Sequence, residues 1–124
     1  MAMRNPYTKY AQNSINTAPK EELTLMLYEG ALKFANQAIM AIDNKDAERA
    51  NELIIRVEDI IREFQITLDR KYPVSANLDA LYDYMYRRLL EANSSKDKGI
   101  LEEVRDMLRE FRDMWKDAMA VARA

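Results

Sequence analysis

The chain has 124 residues, 48% of them hydrophobic, and its 19 Lys and Arg nearly balance 21 Asp and Glu, for a formal charge of -2. A chain of this length makes one domain, burying about two-thirds of the surface it exposes when unfolded, and its balanced charge gives no cationic field to attract nucleic acid. Cys and His are both absent, which removes disulfides, thiolate nucleophiles, imidazole bases and the commonest transition-metal ligands.

No catalytic residue, cofactor or metal site is therefore expected. Paired carboxylates such as Glu21-Glu22 and Glu102-Glu103 fall where solvated helix faces are expected, and the Glu-x-x-His pairs of a di-iron bundle cannot be assembled. No run of 18 apolar residues occurs and residues 1 to 20 carry no signal-peptide core, so a cytoplasmic protein without membrane insertion is expected.

In chain order, residues 1–16 form an N-terminal arm in which Asn5-Pro6 opens at most one short helix bearing Tyr7 and Tyr10, too short to be stable alone. Residues 17–124 then read as an antiparallel, up-down-up-down four-helix bundle of the all-α class. The first helix runs from about Pro19 to Asp43, with Thr17 as its cap and Leu23, Leu27, Ala31, Phe34, Ala38 and Ile42 as its core seam.

The second helix repeats spacings of three and four through Ala47, Ala50, Ile54, Val57, Ile61, Phe64 and Leu68. Lys71 to Asn77, with a capping Ser75, is expected to connect to a third and shortest helix seamed by Leu78, Tyr82, Met85, Leu89 and Ala92. After a polar turn from Asn93 to Gly99, the seam of the fourth helix runs through Leu101, Val104, Leu108, Phe111, Trp115, Ala118 and Ala122. Three short connections make neighbouring helices antiparallel.

Several apolar residues do not fit those seams. At about 100° per residue, Leu25, Leu32 and Ile39 fall well away from the centre of the first helix's stripe and form a second one flanked by Tyr28. Ile55 and Ile66 point away from Val57 and Ile61, while Tyr82, Tyr86 and Leu90 make a ladder on the third helix and Tyr84 faces roughly away from the core. A contiguous apolar stripe left outside a core marks a binding surface or a segment packed over it. Eight methionines are compatible with an adaptable surface, although methionine is more often core filler.

The segments Asn5-Pro6-Tyr7 with Tyr10, Glu22 to Gly30 reading ELTLMLYEG, Leu81 to Leu89 reading LYDYMYRRL, and Glu110 to Lys116 reading EFRDMWK closely resemble the flagellar export chaperone family FliS. The order and spacing of these segments match through nearly the whole chain; the connections Lys71 to Ser75 and Asn93 to Lys98 match no motif. The resemblance implies a cytoplasmic chaperone that binds the C-terminal segment of flagellin, prevents premature polymerisation and delivers it to the flagellar export gate, without nucleotide or metal. It implies client helices laid into hydrophobic grooves, and an arm bearing Tyr7 and Tyr10 that covers part of the client surface and docks at the gate.

On that basis Leu25, Tyr28, Leu32, Tyr82, Tyr86 and Leu90 are candidate client contacts, with Ile55 and Ile66 added on helix geometry alone. The alternative is a structural bundle that self-associates weakly through the spare stripe of the first helix and has no client.

Overall fold

A computed structural model describes residues 20–123, so Tyr7, Tyr10, Thr17 and most of the expected arm lie outside the described residues. Four helices follow one another: α1 (Lys20–Asp43), α2 (Ala47–Thr67), α3 (Ser75–Ser95) and α4 (Lys98–Arg123). Successive helices pack side by side and α4 returns against α1, which closes the four-helix bundle the periodicity implies.

Two of the three connections are built alike. After α1, Asp46 N–H donates to the Ala41 carbonyl and Lys45 N–H to that of Ile42, with Lys45 in the left-handed region at φ 60°. This paired return of amides satisfies carbonyls that a helix end leaves without partners. Asp46 then caps α2 by accepting the Arg49 N–H at 3.0 Å. After α3, Lys96 takes the left-handed position at φ 53°, Asp97 N–H returns to the Ala92 carbonyl, and the Asp97 carboxylate accepts the Ile100 N–H at 3.2 Å. The same Lys-Asp pair thus ends one helix and starts the next, twice at the same end of the bundle, where Lys98 also bridges to Asp43 at 3.0 Å.

The core follows the expected seams closely on α2 and α3. Ala50, Ile54, Val57, Ile61, Tyr82, Met85, Leu89 and Ala92 are all buried. Three expectations need correction. First, α3 starts at Ser75 itself, so the cap position falls to Val74, whose apolar side chain has no acceptor and makes no cap bond. Extending to Ser95, it equals α2 at 21 residues, so the two share the shortest length instead of α3 alone.

Second, the α4 seam runs out of neighbours. Leu101, Val104 and Leu108 are buried, Phe111 and Trp115 half-buried, and Ala118 and Ala122 exposed. Third, Leu32 and Ile39 are core residues at 6% and 7% exposure, and Leu25 is half-buried. All three lie within about 60° of Asn36 and Asp43 on the α1 wheel, and those two residues reach Arg105 and Lys98 of α4. The extra stripe of α1 is therefore its edge toward α4, while Phe34, under the Arg56 guanidinium at 5.4 Å, marks its edge toward α2. Alanines 31, 35 and 38, each fully buried, let the neighbours approach between those edges.

Candidate functional site

Among the described residues, the end opposite the two Lys-Asp turns is open. There α2 passes to α3 through a longer connection, α1 begins, and the last turns of α4 stand beyond their neighbours. The result is an apolar cleft of about 500 Å³, walled by Thr24 of α1, Phe64 and Leu68 of α2, Tyr72 in the connection, Leu78 of α3 and Met114, Trp115 and Ala118 of α4.

Aromatic rings make its inner wall. Tyr28 lies 4.4 Å from Phe64 between ring centroids, Phe64 stacks on Tyr82 at 5.4 Å, and Phe111 meets both tyrosines edge-on at 6.4 and 6.1 Å. Such tilted and edge-to-face contacts suit the ring quadrupole. The two phenols satisfy each other through a 2.8 Å hydrogen bond in which either oxygen can donate. Burial raises both their pKa values above the ordinary tyrosine range, first by desolvation and, for Tyr28, also through Tyr82. Both rings therefore stay neutral and present one shared polar point in an otherwise apolar wall.

Trp115 fixes the cleft's edge. Its indole N–H donates to the Glu21 carbonyl at 2.9 Å, tying the overhanging part of α4 to the first turn of α1.

A second apolar feature lies on the outer groove between α2 and α3. Arg62 stacks over Tyr86 at 3.5 Å, and Gln65 donates to Asp79 at 3.4 Å, which fixes the two helices in register. Ile55 and Ile66 lie within about 40° of Arg62 on the α2 wheel, and Leu90 sits about 40° from Tyr86 on that of α3. Ile66 is 77% and Leu90 47% exposed, with Ile55 exposed as well. Tyr84, in contrast, turns toward α4, donating to Glu103 Oε2 at 2.6 Å beside Arg88, which donates to Oε1 at 3.0 Å. These bonds hold the Glu103 carboxyl below its usual range.

The candidate residues thus separate into three groups. Tyr28 and Tyr82 meet in the cleft; Ile55, Ile66, Tyr86 and Leu90 share the outer α2–α3 groove; Leu25 and Leu32 belong to the α1–α4 seam. Periodicity missed Phe64, Phe111 and Trp115 as cleft residues because it ranked them as core, and it placed Met114 in no seam; the overhang that exposes their edges depends on helix ends meeting at different heights. Among the described residues no three acidic, His or Cys side chains are grouped to hold a metal ion, and no helix is long and apolar enough to cross a membrane.

Comparison with known proteins adds an independent line. Residues 3–122 match the family model described as flagellar protein FliS. The chain is 54% identical over 119 residues to the flagellar secretion chaperone FliS of Bacillus subtilis strain 168, covering 96% of this chain and 90% of that protein. It is 32% identical over 111 residues to the flagellar secretion chaperone FliS of Escherichia coli K12, covering 87% and 82%. To the flagellar secretion chaperone FliSB of Pseudomonas aeruginosa it is 32% identical over 116 residues, covering 92% of each.

Proposed function

Because the chain belongs to the FliS family of flagellar secretion chaperones, which are not enzymes, we propose that its client is the C-terminal segment of flagellin. The client is bound in the cytoplasm as amphipathic helices, kept from polymerising and handed to the export gate. The open aromatic cleft carries this reading: an apolar channel with one paired phenol as its polar point suits the apolar face of a helix. The exposed stripe of Ile55, Ile66 and Leu90 beside Tyr86 extends the apolar surface along the outside of the bundle, where a wrapping client continues. A disordered client loses conformational entropy on ordering, and a long apolar path offsets that cost.

Titration calorimetry of the full chain with a synthetic flagellin C-terminal segment tests the proposal. One-to-one binding with a negative heat-capacity change is expected, weakened at least tenfold by Ile66→Asp, which sits at an exposed position and leaves the core intact. Absence of binding by the unmutated chain refutes the client reading. A mass that grows with concentration would then favour self-association, through this exposed stripe and not through the α1 stripe, whose Leu32 and Ile39 are buried.

Tyr7 and Tyr10 are assigned to the arm that covers part of the client surface and meets the gate. The chain enters α1 at Lys20, on the rim of the cleft. Removal of residues 1–16 is accordingly expected to alter client affinity and increase binding of a hydrophobic dye.

A further inference from the structure

The α2–α3 seam contains a buried acid with an unfilled bonding position. Glu58 is 7% exposed, and its Oε2 has no hydrogen-bond partner among the described residues. On the α2 wheel it lies within about 40° of Asn51, Arg62 and Gln65, and each of those three reaches α3: Asn51 accepts from Asn93, Arg62 covers Tyr86, and Gln65 donates to Asp79. The carboxyl is thus enclosed where the two helices meet, with polar contacts above and below it along the seam but none to its own second oxygen.

We propose that Glu58 is a proton-controlled latch on the α2–α3 seam, letting the helices pack tightly when neutral and loosening them when ionised. A buried neutral acid costs far less than a buried carboxylate, whose desolvation must be relieved by pairing or by admitting water. Pairing is poorly supplied. From α2 itself the charged neighbours are Asp59, which opposes ionisation, and Arg62, which favours it but has its guanidinium over the Tyr86 ring and bonded to Gln65.

From α3 the titratable groups on this edge are Tyr86 and Asp79, the latter already bridged to Arg70 at 3.2 Å. Helix α1 meets the opposite edge of α2, where Arg56 lies over Phe34, and the charges that act on this carboxyl are those of Asp59 and Arg62 on α2 itself. Burial above all, then Asp59, pushes the Glu58 carboxyl up from 4.5 to about 7.

The sign follows from linkage. The folded state holds the proton more tightly than the unfolded chain, so Glu58's contribution is complete below the ordinary carboxylate range and is lost as pH rises to about 7. The seam is then weakest on the alkaline side of neutrality. Relief of the charge there requires Arg62 to leave Tyr86 or water to enter between the helices, and either change loosens α2 from α3. The latch belongs to the folded chain by itself, whatever the client is.

Urea unfolding of the full chain from pH 5 to pH 8.5, compared with Glu58→Gln, provides the first test. The unfolding constant of the unmutated chain is expected to rise by on the order of a hundredfold more than that of the variant across this interval; parallel profiles would overturn the proposal. Carbon-13 titration of the Glu58 carboxyl in the unmutated chain tests it without any substitution. A midpoint near neutrality supports the latch, and one in the ordinary carboxylate range removes it. Amide exchange, corrected for its intrinsic pH dependence, should show added opening in α2 and α3 between pH 6 and pH 8, whereas an equal change in all four helices would show that no latch acts on this seam.

Discussion

At the scale of single residues, the pairing of Tyr28 with Tyr82 makes a non-additive prediction. Each phenol is buried and its hydrogen bond is to the other, so removing one oxygen leaves a buried hydroxyl without a partner at a cost of about 1–2 kcal/mol. Tyr28→Phe and Tyr82→Phe should each destabilise by that amount, and the double variant by no more than either alone. Urea denaturation of all four proteins decides it, and additive losses would mean that each hydroxyl has a separate partner. Lys45 leads to a gain instead. Its φ of 60° strains an L side chain, and glycine at that position should add roughly 0.5–1 kcal/mol of stability by the same measurement. Lys96, at φ 53°, is a poorer target, since its ammonium donates to the Asn93 carbonyl at 2.6 Å and to Asn93 Oδ1 at 2.7 Å.

At the scale of the helix, α4 changes character along its length. Leu108 is fully buried among the other helices, while Val121 is 77% exposed on the overhang. Leu108→Ala should cost about 2–5 kcal/mol of unfolding free energy, against less than about 0.5 for Val121→Ala, as measured by thermal or urea unfolding. The contrast also shows what could be read from sequence. Spacings of three and four locate all four helices and most of the seam of α2, because those residues face one continuous interior. The same spacings run on unchanged through Ala118 and Ala122, since periodicity reports which side of a helix is apolar and not whether a neighbour extends that far.

On α1 periodicity understates the buried surface. One stripe was allotted to the core, but a helix held closely between two neighbours buries about half its circumference, and Leu32 and Ile39 belong to the second contact. Glu58 was invisible for a related reason: nothing in an isolated carboxylate at a helical position distinguishes a wet flank from the edge of a closed seam. The cleft was legible in part, because Tyr28 and Tyr82 were singled out, but their meeting across 54 positions required the tertiary fold.

Across the whole molecule the two ends are unlike. One carries the paired Lys-Asp turns and the Lys98 to Asp43 bridge; at the other, the longer connection, the first turn of α1 and the free turns of α4 surround the cleft. The turn end is joined by short covalent links and capped helix ends, whereas the mouth, apart from its longer connection, is held by side chains, among them the Trp115 bond to Glu21 and the aromatic stack. Local opening has a direction in such a molecule: the bundle frays from the turns of α4 beyond Trp115 inward, while the two turns act as a common root for all four helices. It resembles a set of tines fixed at the handle, whose tips can spread without the fold being lost.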